Sequence, residues 1–325
     1  MDINSLQVVV NLVLQQMGGW LELPMRFFTF LGQEEFFLFI MPALYWCVSP
    51  SLGLRTALAL LSSSALNSAL KISFHQPRPY WIEPRVQALG AETSFGLPSN
   101  HAQNAAVIWG LLARAWRKRW FTLGAVLLAF FIGFSRLYLG MHFLGDVLAG
   151  WLIGGLYLLL FIRLDRPVSD WLARQPLSRL LIAAALTSLV VILLAVIPGL
   201  ALQSFPIPAD WSANALTATP EDPIAPLSLD PGFTLGGVCL GMFAGAALMF
   251  RKAGGFQASG SLLQRFLRYL IGLAGVLLLW YGLGAIFPRT ADLGGYLLRY
   301  LRYALIGLWI AFLAPLIFCR LRLSR

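Results

Sequence analysis

Apolar side chains in this chain of 325 residues run on for about twenty positions at a time and then give way to short polar or basic stretches. Such runs occupy residues 27–48, 54–74, 101–116, 120–136, 143–162, 178–199, 233–250, 266–287 and 298–319. A helix rises 1.5 Å per residue, so ~20 apolar residues cross the ~30 Å hydrocarbon core of a bilayer. The pattern predicts an all-α polytopic membrane helical bundle of about nine transmembrane helices. The start of the chain differs. "MDINSLQVVVNLVLQQMGGW" spaces its apolar residues helically but interrupts them with Asn11, Gln15 and Gln16. It lacks a basic leading region and a small-residue cleavage site, so residues 1–24 read as an N-terminal interfacial amphipathic helix and not as a signal peptide.

Composition supports the membrane setting: 58% of residues are hydrophobic and 12% charged, against about a quarter charged in soluble domains. The net charge of +10 does not point to nucleic acid, because the basic residues are spread among loops. "RAWRKRW" (114–120), residues 163–179, Arg251 and Lys252 with Arg265 and Arg268, and the tail "CRLRLSR" fall on one side when the spans are threaded in order. Residues 75–100, 137–142 and 200–232 fall on the other, and the last of these holds Asp210, Glu221, Asp222 and Asp230 without a Lys or Arg. The bias of Lys and Arg toward cytoplasmic loops makes the first side cytoplasmic. The expectation is a multi-pass protein of a bacterial inner (plasma) membrane, with its polar motifs facing the periplasm or exterior. Cys47, Cys239 and Cys319 stand singly, as small packing residues do.

The chemistry concentrates around three histidines, His75, His101 and His142, the only ones in the chain. Their stretches are "KISFHQPRPYW" (71–81), "GLPSNHAQNAAVIW" (96–109) and "SRLYLGMHFLGD" (135–146). Each has a plain structural reading: Lys71 snorkelling, Pro98-Ser99-Asn100 as a turn and N-cap, Arg136 as an interfacial anchor. Together they do more. Lys71, Arg78 and Arg136 supply three cations on one side, and the start of a helix at Ser99-Asn100 supplies free N–H groups, which is an anion site. His142 and Asp146 are spaced i, i+4, so the carboxylate can take the Nδ1 proton and leave Nε2 as nucleophile or base. His101 becomes a second proton-handling group. Such a set suits phosphoryl transfer: cations neutralise the oxygens, one histidine attacks phosphorus, and the other protonates the leaving alkoxide. No metal or other cofactor is required, and no acidic cluster has the density of a two-metal site.

Lys71, six residues, Arg78-Pro79; Pro98-Ser99-Asn100-His101; and Ser135-Arg136, five residues, His142, three residues, Asp146 together resemble the three-part signature of the type 2 phosphatidic acid phosphatase superfamily, which includes vanadium-dependent haloperoxidases. "SRLYLGMHFLGD" is similar to sphingosine-1-phosphate and dolichyl-pyrophosphate phosphatases and, more loosely, to glucose-6-phosphatase. The resemblance implies a phosphohistidine on His142, Asp146 as its orienting partner, and His101 as acid and then base. It also implies phosphate held by Lys71, Arg78, Arg136, Ser99 and the Asn100 amide. Asn100 stands where glycine is usual, and were φ positive there, Asn would be the least costly replacement. The expected substrate is a phosphorylated membrane lipid, with phosphatidate, phosphatidylglycerophosphate, polyprenyl pyrophosphate and sphingoid phosphates all open. A lipid transporter or scramblase on the same fold and a vanadate-dependent haloperoxidase are the alternatives.

The phosphatase core is expected over residues 25–165 and a C-terminal membrane extension of four helices over 166–325. In the extension, Gly237, Gly241 and Gly245 form a stripe suited to intrachain packing or to a homodimer. The Pro-rich segment 200–232 reads as a solvated connector or a lid. Glu34 and Glu35 of "GQEEF" either cap the first span or answer an active-site cation or a substrate amine.

Overall fold

The computed structural model describes residues 3–324, and Met1, Asp2 and Arg325, at the ends of the expected N-terminal helix and C-terminal extension, lie outside the described residues. Every regular element among those described is helical: α1 (Ile3–Gln16), α2 (Glu22–Phe30), α3 (Glu34–Ala43), α4 (Pro50–Phe74), α5 (Pro79–Ile82), α6 (Asn100–Trp116), α7 (Arg119–Tyr138), α8 (Leu144–Arg174), α9 (Leu177–Ala201), α10 (Ala209–Ala218), α11 (Asp230–Lys252), α12 (Leu262–Leu277), α13 (Leu283–Ile286), α14 (Leu293–Leu308) and α15 (Ala314–Arg320).

The protein is an integral multi-pass membrane protein. Seven helical stretches among the described residues are long and apolar enough to cross a bilayer, or eight if the bent pair 19–30 and 34–48 is one span. Nine were expected. The first expected span bends by 48° at the break after α2. The third, α6, has 17 residues and opens on Asn100-His101-Ala102-Gln103-Asn104. Its polar side chains at 101, 103 and 104 are buried in protein. That helix is satisfied by its neighbours, which an apolar run by itself does not reveal.

The chain forms two compact units. The first comprises the residues up to Phe37, Leu66–Ile162 and Ile197–Ser228. Its frame is an antiparallel hairpin of α6 and α7. The Ser99 side chain caps α6, a type of contact that contributes about 1 kcal/mol, and Arg117 ends the helix in the left-handed conformation at φ 52°. After α7 the chain reverses through Gly140 at φ 72°. A Cβ there would also run into the Gln87 carbonyl, so the turn requires glycine.

Helix α1 turns its polar residues into this unit. Gln7 accepts from Gly145 N at 2.7 Å. Asn11 donates to the carbonyls of Leu137 (2.8 Å) and His142 (3.1 Å). Gln15 donates to Gln87 O and Tyr138 O. Leu6, Val9 and Val13 point outward and are about half exposed. The segment 200–232 is largely exposed but not structureless. Within it, α10 packs on α5: Asn214 Nδ2 donates to Trp81 O at 2.9 Å, Trp211 lies against Trp81, and Ala225 N donates to Thr93 O at 3.0 Å.

The second unit comprises Leu38–Ala65, Arg163–Val196 and the residues from Leu229 on. The glycine stripe is used within the chain. A Cβ at Gly237 or Gly241 would collide with the Tyr300 or Ala304 carbonyl of α14, and one at Gly245 would come 3.0 Å from Ala311. The stripe therefore carries no argument for a dimer. Trp46 Nε1 donates to Ile310 O and Tyr45 OH to Ala311 O, which ties the start of this unit to its end. The three cysteines are free thiols.

Candidate functional site

All eight residues singled out by sequence lie in the first unit and converge. Lys71 comes from the last turn of α4, Arg78 from the link to α5, Ser99, Asn100 and His101 from the start of α6, Arg136 from the last turn of α7, His142 from the following reversal, and Asp146 from the first turn of α8. The reversal is held on Asp146, whose backbone carbonyl accepts from Ser99 N at 3.0 Å. This bond joins the second and third motifs directly.

His142 is 1% exposed. Its Nδ1 lies 3.1 Å from Asp146 Oδ2, which also accepts the Phe143 N–H at 3.0 Å. Its Nε2 lies 3.2 Å from Arg78 Nη1. A guanidinium can only donate, so Nε2 accepts, and the proton of the neutral ring is assigned to Nδ1 on the carboxylate. Burial, and then the charges of Arg78, Lys71 and Arg136, hold the ring well below the ordinary histidine value. It therefore presents a lone pair at neutral pH.

The cations are fixed largely by backbone carbonyls. Arg78, fully buried, donates to Ser94 O (2.6 Å), Met141 O (2.9 Å) and Phe95 O (3.1 Å). Lys71 donates to Phe95 O and, at 3.2 Å, to Ser94 Oγ. Arg136 Nη1 donates to Thr29 Oγ1 at 2.6 Å. Between the two guanidinium groups sits Glu92, paired with Arg136 Nη2 and 3.5 Å from Arg78 Nη2. Burial would raise its carboxyl, but Arg78 and Arg136 outweigh that and hold it at about 2. Glu92, Ser94 and Thr29 escape the sequence reading. The signal for Glu92 was slight: it is the one charged residue between Arg85 and His101.

On the other side of the anion site, His101 Nε2 and Arg136 Nε are buried without a hydrogen-bond partner. Buried polar atoms left in this way are costly unless a ligand meets them. The His101 ring is approached closely by Gly32, where a Cβ would come 2.8 Å from its Cδ2. That approach is the contribution of "GQEEF" to the site. Glu34 and Glu35 are exposed, and the carboxylate that meets Arg78 and Arg136 is Glu92. Asn100 is the first helical residue of α6 and is not among the residues with positive φ, so replacing glycine brings no backbone strain. Its Oδ1 accepts from Asn104 Nδ2 at 2.9 Å. The Asn100 and His101 N–H groups, at the helix start, have no intrahelical acceptor. His75 stands apart, its ring against Phe95 and Phe205. The arrangement can hold a tetrahedral anion with the Nε2 lone pair of His142 on one side and a second buried imidazole, that of His101, on the other.

A family model described as the PAP2 superfamily matches residues 52–169, and one described as the PAP2 superfamily phosphatase, transmembrane extension, matches 233–325. Phosphatidylglycerophosphatase B of Bacillus subtilis (strain 168) is 32% identical over 158 residues, covering 44% of this chain and 72% of that protein. Sphingosine-1-phosphate phosphatase 2 of Mus musculus is 32% identical over 139 residues, and the chain spans only 38% of that protein's length. A crystal structure of the first transmembrane PAP2 type phosphatidylglycerolphosphate phosphatase from Bacillus subtilis covers 51% of this chain and 87% of its own at 26% identity, with a TM-score of 0.44.

Proposed function

The chain belongs to the PAP2 superfamily, and from that premise we propose that it is a lipid phosphate phosphatase acting through a phosphohistidine. The observation that carries the reading is the polarity of the His142 ring, with Nδ1 on Asp146 and the Nε2 lone pair directed at the buried guanidinium of Arg78. A phosphate held by Arg78 brings phosphorus to Nε2. The Nε2–P bond forms as the P–O bond to the lipid breaks, and His101 gives its proton to the departing alkoxide. His101 then takes a proton from water, whose oxygen attacks phosphorus and frees His142 and inorganic phosphate. Lys71, Arg78, Arg136, the Ser99 hydroxyl and the Asn100 amide meet the charge on the equatorial oxygens. These fixed cations perform the neutralisation that a metal supplies elsewhere, so the reaction runs without one.

The site faces the periplasm or exterior of a bacterial inner membrane. In support, Arg114, Arg117, Lys118 and Arg119 cluster at the far end of the α6–α7 hairpin, about 25 Å from His101 at 1.5 Å per residue. The substrate is a membrane lipid carrying a phosphomonoester or pyrophosphate, in keeping with relatives named for phosphatidylglycerophosphate and sphingosine-1-phosphate. The N-terminal helix lies at the interface, with residues 25–165 as the catalytic core and 166–325 as a membrane extension. The test is phosphate release by purified protein from phosphatidate, phosphatidylglycerophosphate, polyprenyl pyrophosphate and sphingosine phosphate in mixed micelles. At least one is expected to be hydrolysed by the wild type and none by His142→Ala. Equal release by the two proteins, or none from any lipid, overturns the reading.

A further inference from the structure

The phosphate site is already occupied by a residue of this chain. Glu92 lies between Arg78 and Arg136, where both guanidinium groups must be free to grip a phosphate. We infer that Glu92 is an internal anion that holds the site between turnovers and displaces the product phosphate, an inference that rests on the phosphatase reading above.

The charge balance sets up the exchange. Glu92 meets Arg78 and Arg136, Asp146 meets His142, and Lys71 lies beside them on Ser94, so the site counts three formal cations against two carboxylates. When Glu92 withdraws, the remaining surplus of two matches a phosphate dianion. The carboxylate is a serviceable stand-in but an incomplete one. Its two oxygens meet one N–H on each arginine and leave Arg136 Nε and His101 Nε2 without partners. The additional oxygens of a phosphate meet the Arg136 Nε–H, and the His101 Nε2–H in the tautomer that the leaving-group role requires, which lets an incoming phosphate win against a tethered competitor. Once the lipid alcohol has left and the acyl chains no longer hold the group in place, the balance tilts back.

Glu92 is built to swing without the loop opening. The backbone on both sides is pinned, with Leu89 N on Leu139 O at 3.1 Å and Ala225 N on Thr93 O at 3.0 Å. The Glu92 side chain is 26% exposed, so it can rotate toward solvent while its backbone stays in place. Held at about 2, its carboxyl stays ionised at every physiological pH. A group on a short tether competes at an effective concentration in the millimolar range or above.

An internal competitor weakens every anion by one common factor, whatever the identity of the anion, and this is the signature to test. For Glu92→Gln in the full chain, the Kd values for inorganic phosphate and for vanadate, measured by calorimetry, should both fall by the same factor, on the order of tenfold to a hundredfold for losing a charge-assisted bond. Glu92→Asp, which keeps the charge but shortens the reach, should give a smaller common factor. It also serves if Glu92→Gln is too unstable without anion to be purified. With a lipid phosphate, Glu92→Gln should show an initial burst of lipid alcohol followed by a slower steady state limited by phosphate release, and its inhibition by product phosphate should tighten by that same factor. Unchanged Kd values, factors that differ between phosphate and vanadate, or a slowed single-turnover step without tighter product inhibition would overturn the inference. The binding measurements need no turnover. A wild type that hydrolyses nothing therefore refutes the phosphatase reading separately, while the common factor still decides whether Glu92 occupies the anion site.

Discussion

Asp146 offers the sharpest test of how the nucleophile is prepared, because its two acceptor contacts converge on one atom. Oδ2 accepts hydrogen bonds from His142 Nδ1–H at 3.1 Å and from the Phe143 N–H at 3.0 Å. In Asp146→Asn, the Phe143 N–H cannot face an amide NH₂, so it orients the amide with its oxygen in the Oδ2 position. That oxygen still accepts from Nδ1, the tautomer is kept, and only the charge is lost. The difference between a charge-assisted and a neutral hydrogen bond is about 1–2 kcal/mol, which corresponds to roughly a 5- to 30-fold fall in kcat. Asp146→Ala removes the acceptor, leaves the Phe143 N–H unpaired at about 1–3 kcal/mol, and lets the imidazole proton move to Nε2, where it blocks attack. The unpaired N–H lowers stability and leaves kcat alone, whereas losing the tautomer together with the charge should lower kcat on the order of a hundred- to several thousand-fold. The assay is phosphate release at saturating surface concentration in mixed micelles, with acid-quench trapping of the phosphoenzyme. If Asp146→Asn is as inactive as Asp146→Ala, Phe143 does not set the amide orientation. If Asp146→Ala loses less than tenfold, Asp146 does not set the His142 tautomer.

Other expectations follow from the same geometry. His142→Ala should abolish turnover and the acid-labile phosphoenzyme, whereas His101→Ala should slow alkyl phosphates far more than aryl ones; equal losses on both would remove the leaving-group role of His101. Because fixed side chains meet the phosphate charge, chelators should leave the rate nearly intact while vanadate inhibits, and a rate lost in chelator and restored by Mg²⁺ would refute this. Asn11→Leu strips the Leu137 and His142 carbonyls of buried donors, so it should cost about 2 kcal/mol of stability and lower kcat more than it alters KM, read by thermal melting and phosphate release; rescue by Asn11→Gln would point to positioning over bulk packing. His142 is kept neutral by burial and by Arg78, Lys71 and Arg136, so protonation should inactivate it only as pH falls well below 6.5, the ordinary histidine value. In single-turnover phosphorylation corrected for substrate ionisation, the acid limb should lie below that value and move upward in Arg78→Ala, where a cation beside Nε2 is gone.

What the sequence makes legible here is local and chemical. The i, i+4 pair of His142 and Asp146, the Ser99 cap and the spaced cations can be read because the chemistry needs those residue types at those separations, and a helix fixes the separations. What it hides is long-range. Thr29 meets Arg136 across 107 positions and Glu92 meets it across 44, and no periodicity links such pairs. The count of nine spans is not confirmed for a related reason: seven helices, or eight with the bent pair, are long and apolar enough among the described residues, and α6 stops at 17 residues. An apolar run does not distinguish a helix facing lipid from one such as α6, whose buried His101, Gln103 and Asn104 are surrounded by protein. Gln7, Asn11 and Gln15 show what a stronger rule would have delivered. Their i, i+4, i+8 stripe was visible, but polar residues on an interfacial helix are ordinarily assigned to water. In an apolar setting a polar stripe requires hydrogen-bond partners that lipid cannot supply, so it points as readily to a neighbouring backbone. Here it lands on the end of α7 at Leu137 and Tyr138, on His142 in the reversal, and on the start of α8 at Gly145, and so brackets the turn that carries the nucleophile. That turn is irregular backbone between two membrane helices, with carbonyls that need donors. The N-terminal helix supplies several of them, which places the precision of the His142 ring partly in residues that no catalytic motif contains.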